Sequence, residues 1–78
     1  MNYLNFKKSE SKKIELGTTI KYTYYIYNNI CIKILKIGKS RKKYSIYNNW
    51  NSEIKAGNCI HYDIDKKDIN SLLSDIII

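Results

Sequence analysis

The chain has 78 residues, with fourteen Lys and Arg against seven Asp and Glu for a formal net charge of +7. That length supports one compact domain and excludes a second core. The charge favours a polyanionic surface as partner.

Residues 1–12 show no apolar alternation and read as an N-terminal basic extension, leaving 13–78 as the single domain. The extension has neither the apolar block of a secretory signal nor the Arg-rich character of an organelle transit peptide. Residues 18–37 predict a hairpin. Ile20, Tyr22, Tyr24 and Ile26 alternate with Lys21, Thr23, Tyr25 and Tyr27, Asn28-Asn29 supplies turn residues, and Ile30, Ile32 and Ile34 resume the period of two. Gly38-Lys39-Ser40 interrupts the pattern, residues 42–47 restore it with Tyr44 and Ile46 inward, and 48–51 is turn chemistry. Ala56-Gly57-Asn58 predicts a second tight turn, which would require Gly57 if it needs positive φ there, and Ile60, Tyr62 and Ile64 a fourth strand. In this reading every inward position is even-numbered. Residues 65–73 suit a short helical turn capped by Asp65 or Asp68, and 75–78 a fifth strand. The expected fold is all-β, a small five-stranded antiparallel barrel, closed or partly open. Tyr-x-Ile-Tyr-Asn-Asn occurs twice, ending at Asn29 and Asn49, and marks two strand-to-turn junctions.

Charge is unevenly distributed. Residues 16–52 carry seven cations and no acid, and six of the seven, Lys33, Lys36, Lys39, Arg41, Lys42 and Lys43, fall within eleven residues. Phosphate neutralisation releases counterions, so about six such contacts would cost roughly a thousandfold in affinity between about 50 and 200 mM salt. The plainer reading is a solvated Lys-rich loop that blunts a sheet edge. Tyr25, Tyr27 and Tyr47 are expected to face outward beside these cations, where rings stack on bases or riboses. Lys21 and the Asn28-Asn29 turn are secondary candidates.

His61, Cys31 and Cys59 lack the paired short spacings of a structural zinc site, and no glycine-framed nucleophile or phosphate-cradling loop occurs. The expectation is a protein without metal, cofactor, small-molecule substrate or catalytic activity. Both thiols are expected as small buried hydrophobes in a reducing compartment, His61 at the surface, and Trp50 either capping the core or stacking on RNA. No apolar run is long enough to span a bilayer.

Lys42-Lys43-Tyr44, the run Tyr47-Asn48-Asn49-Trp50-Asn51 and the segment Gly57-Asn58-Cys59-Ile60 together resemble small-subunit ribosomal protein seventeen of bacteria and organelles. Gly17-Thr18, Asn29-Ile30-Cys31-Ile32 and Gly38-Lys39 are similar to that family's first-strand, hairpin-return and pre-basic motifs. Two departures stand out. Asp65, Lys66, Lys67 and Asp68 occupy the place of the family's basic Arg-Pro-Leu-Ser-Lys-Thr-Lys segment, and the loop between the second and third strands is shortened. The resemblance implies an OB-type barrel that binds small-subunit rRNA and meets neighbouring ribosomal proteins in an architectural role. Lys33, Lys36, Lys39, Arg41, Lys42 and Lys43 would hold phosphates, with Tyr44, Tyr47 and Asn48 near sugars or bases. Ile, Lys, Asn and Tyr make 45 of the 78 residues, a composition of A+T-biased genes. With the resemblance, it suggests a ribosome in a plastid or apicoplast, or in the cytoplasm of a low-GC bacterium. Ile37-Gly38-Lys39-Ser40 and the stretch from Ile46 to Gly57-Asn58 carry an alternative, a DNA-binding swapped-hairpin dimer of the AbrB type.

Overall fold

β-Branched and aromatic residues dominate the middle of the chain, and the left-handed backbone of Leu16, Gly17 and Asn28 folds them back on themselves. A computed structural model describes residues 2–77. It contains five strands, β1 (Lys7–Glu15), β2 (Thr18–Tyr27), β3 (Ile30–Ile37), β4 (Lys43–Asn51) and β5 (Ala56–Ile64). A 3-10 turn at Tyr3–Asn5 precedes them, and a second at Lys66–Asp68 leads into the helix α1 (Ile69–Ile76). All neighbouring strands are antiparallel, in the order β1-β2-β3-β4-β5.

The all-β, five-stranded antiparallel architecture is as expected, and the hairpin over 18–37 is present as β2 and β3. The barrel is not closed, because the sheet remains a meander with β1 and β5 as its edges. A second layer comes instead from α1 and the Tyr3–Asn5 turn. Ile69 and Leu73, both 0% exposed, pack with Tyr3, Phe6, Ile30, Ile32 and Ile46. Leu72 and Ile76 extend the same helix face at the i, i+3, i+4, i+7 spacing. Tyr3 N donates to Asn70 Oδ1 at 2.9 Å, which ties the two covering segments together. Burying Ile69 and Leu73 contributes about 1.5–3 kcal/mol each.

Other elements depart from expectation. Residues 7–12 belong to β1, which is solvated on both faces along nearly its whole length and so carries no apolar period. Its Lys and Glu residues protect an otherwise sticky edge. The helical segment begins where expected but runs on through Asp75 and Ile76; neither Asp65 nor Asp68 makes a side-chain cap bond, and Ile78 lies outside the described residues. β4 continues through 48–51, and the turn falls at 52–55, where Asn51 Oδ1 accepts from Glu53 N at 2.9 Å.

The uniform even parity fails for a geometric reason. Tyr27 faces Ile30 across a two-residue turn, so odd residues of β2 lie opposite even residues of β3 throughout the hairpin. Tyr25 therefore shares the helix-covered face with Ile32, while Tyr22 and Tyr24 share the other face with Leu35 and Lys33. In β5, Asp63 has φ 51 and sits in a bulge between the pairs Tyr44–Ile64 and Ile46–His61. Ile64 is half-buried against the core, but Ile60 is 36% and Tyr62 69% exposed, not inward as expected.

Gly57 has no positive φ; Lys55, at φ 52, makes the left-handed turn instead. Glycine is required at 57 by close approach, since a Cβ there would meet Asn48 O at 2.8 Å and Trp50 Cα at 3.1 Å. Gly57→Ala is accordingly expected to cost about 1–3 kcal/mol through overpacking, measured by urea unfolding. Leu16 is fully exposed at φ 49, a position that suits Asn before Gly17. Leu16→Asn should stabilise by about 1 kcal/mol in the same assay.

Candidate functional site

The sheet has two unlike faces. One lies under α1; the other has no covering layer among the described residues and presents aromatic rings separated by lysines. Tyr22 and Tyr24 reach it from β2, Lys33 from β3, Lys43 and Tyr47 from β4, and Tyr62 from β5. The left-handed Asn49, at φ 50, shifts the β4–β5 register and turns Trp50 towards the same side. There Trp50 packs on Tyr24 at 5.5 Å and Tyr47 at 5.3 Å between ring centroids, 8% exposed, as the floor of the face.

Lys33 is the centre of this face. Its Nζ lies 5.2 Å from the Tyr22 ring centroid and 5.8 Å from that of Tyr47. Lys55 reaches over Tyr24 at 5.7 Å. Such contacts hold an ammonium and a ring face in register without neutralising the charge. Among the described residues no carboxylate lies within ion-pair distance of Lys33, Lys43 or Lys55. A shallow depression of about 40 Å³ lies between Lys33, Leu35, Lys43, Ser45, Tyr47 and Tyr62. Burial pushes the Tyr24 and Tyr47 phenols above their ordinary pKa. The same effect takes the buried Cys31 thiol up to about 12, which makes it inert.

The ten sequence-predicted contact residues are divided by this geometry. Lys33, Lys43 and Tyr47 come together on the open face. Lys21 and Lys36 pair with each other on the opposite face, where Tyr44 is half-buried against the core. Lys39 and Lys42 are exposed in the β3–β4 loop, where Ser40 Oγ donates to Ile37 O at 2.6 Å. Arg41 is held in a two-bond fork by Asp63, at 3.0 and 2.8 Å. Asn48 faces Asn58, and its Oδ1 is buried without a partner. Tyr25 and Tyr27, expected beside the cations, instead pack on the helix side, edge-on to Tyr3 at 5.1 Å and stacked on Phe6 at 5.2 Å. Tyr22, Lys55 and Tyr62 were not singled out by the sequence, because their placement depends on the hairpin parity and the register shifts between β4 and β5. Cys59 is exposed rather than buried, and His61 is half-buried rather than on the surface. The described residues contain no group of three or more His, Cys, Asp or Glu able to hold a metal ion. No helix among them is long and apolar enough to cross a membrane.

Comparisons with protein-family models, with curated proteins and with solved structures find no match to this chain.

The hydrogen bonds from Arg41 lower the Asp63 pKa from its ordinary 3.8, against a partial burial that raises it and with a smaller pull from Lys43. A depressed carboxyl stabilises the fold above its unfolded pKa and loses that contribution as pH falls through the lower, folded value. Arg41→Gln should therefore lower the urea midpoint slightly at pH 6, with the difference from the parent vanishing near pH 2.

Proposed function

We propose that this chain is a non-enzymatic RNA-binding module that holds unpaired nucleotides on its open sheet face. The observation that carries this reading is the ammonium of Lys33 set between the rings of Tyr22 and Tyr47 on a face with no covering layer. Ring faces stack on any unpaired base, and neighbouring lysines neutralise the phosphates that accompany it. Tyr22, Tyr47 and Tyr62 supply the stacking surface, and Lys33, Lys43 and Lys55 the charge. A duplex buries its base faces, so this arrangement has less to offer it.

The resemblance to small-subunit ribosomal protein seventeen makes small-subunit rRNA the polymer we propose, with neighbouring ribosomal proteins as further partners and the ribosome of an A+T-rich organelle or low-GC bacterium as the location. The open meander is not the closed barrel which that family implies, so the proposal rests on the face and not on the family fold. Co-sedimentation with small ribosomal subunits tests the narrower statement.

Three phosphate contacts, not six, set the salt dependence. Affinity for a short single-stranded RNA should fall about twentyfold between about 50 and 200 mM salt, from a slope near −0.7 per contact. Tyr47→Ala should cost about 1–3 kcal/mol of binding, while Tyr47→Phe, which keeps the ring, should cost far less. Fluorescence anisotropy measures both; unchanged affinity in Tyr47→Ala together with a Lys33→Glu, Lys43→Glu double variant would exclude the face.

A further inference from the structure

The other face of the sheet carries a second cationic feature that the open face does not use. Lys12 pairs with Lys21 across β1–β2, and Lys21 pairs with Lys36 across β2–β3, so three lysines lie side by side on adjacent strands. Neighbouring strands are about 4.8 Å apart, and like charges directly opposite one another on a sheet are unfavourable. Among the described residues, the one carboxylate within ion-pair distance of this row is Glu10. It is shared between Lys8, at 3.0 Å, and Lys21, at 3.5 Å, leaving Lys12 and Lys36 without an ion-pair partner among the described residues. Lys8 in turn lies over the Tyr25 ring at 5.9 Å, which places this strip on the helix side of the sheet, beyond the part that α1 covers. A depression of about 210 Å³ opens beside it, lined by Glu10, Ser11, Lys12 and Lys21.

We infer that the Lys12–Lys21–Lys36 row is a second phosphate track, and that one molecule joins two RNA segments, one on each face of the sheet. The inference rests on the RNA-binding reading of the open face. Among the described residues no aromatic ring is interleaved with this row, whose lysines are directly paired, so it takes the sugar–phosphate backbone and not bases. Repulsion along the row is relieved when an anionic backbone crosses it, whereas the open face relies on stacking. The division suits an architectural role: one face grips an unpaired stretch, and the other draws in a neighbouring strand.

The test uses the full chain with two short oligouridine strands, one carrying a donor dye and one an acceptor, at low salt. Energy transfer should appear when both strands are present with a protein that sediments as a monomer. In a Lys12→Gln, Lys36→Gln double variant the second strand should bind about tenfold more weakly and transfer should be lost, while affinity for the first strand stays within about twofold of the parent. Lys36→Gln should also raise the urea midpoint in the absence of nucleic acid, since a like-charge neighbour is removed. One strand per chain with no transfer, transfer unchanged in the double variant, or transfer that accompanies a dimer mass would each overturn the second track and leave the open face standing. Failure of the first strand to bind would overturn both readings.

Discussion

Packing of α1 and the Tyr3–Asn5 turn against a single side of the sheet is the constraint from which the remaining features follow. Ile69 and Leu73 meet Ile32 and Ile46 at the centre of that side, with all four side chains at 0% exposure. A chain of this size has enough apolar material for one such layer and no more. The other side is left to a smaller cluster, Tyr24, Cys31 and Trp50, around which partly exposed rings collect. Rings that cannot be buried completely but are held by neighbours make a rigid, wettable platform. The uncovered face is thus a consequence of where the core was built.

Charge is distributed to fit that division. Among the described residues, four of the fourteen cations are tied to carboxylates, Arg41 most firmly through its fork with Asp63. Lys33 and Lys55 of the open face are instead held by aromatic rings, which position them and leave their charge unneutralised. The edge strands differ in the same spirit. β1 is protected by its four Lys and two Glu residues, while β5 is broken by bulges, with Asp63 in a left-handed conformation. Each device discourages edge-to-edge association without covering the face between them.

The site was legible in part, and the boundary is instructive. Density of cations without acids over residues 33–43 singled out Lys33 and Lys43, which the structure places together on the open face, because that property is local. It also gathered Lys36, Lys39 and Lys42, which point elsewhere or sit in a loop, since nearness along a chain places successive strand residues on opposite faces. That Arg41 is tied to a carboxylate was hidden for a different reason: its partner Asp63 is 22 residues away, in β5. The tyrosines of β2 were assigned to the wrong sides, whereas Tyr44 and Tyr47 lie on the sides expected for them. An alternating pattern with large residues in both phases, as in 22–27, offers two equivalent orientations, and the choice between them lies in a neighbouring strand's register.

Composition and period were enough to establish a small, basic, antiparallel β domain and to locate the β2–β3 hairpin, since propensity and turn chemistry act over a few residues. They were not enough to say that the sheet stays open, that residues 7–12 form its first strand, or that Gly57 is required by a backbone passing at van der Waals distance. Each of those depends on a pairing between distant segments. The odd-to-even match across Asn28-Asn29, the bulge at Asp63 and the docking of α1 selected which rings meet water, and no local pattern encodes a choice made by three separate contacts at once.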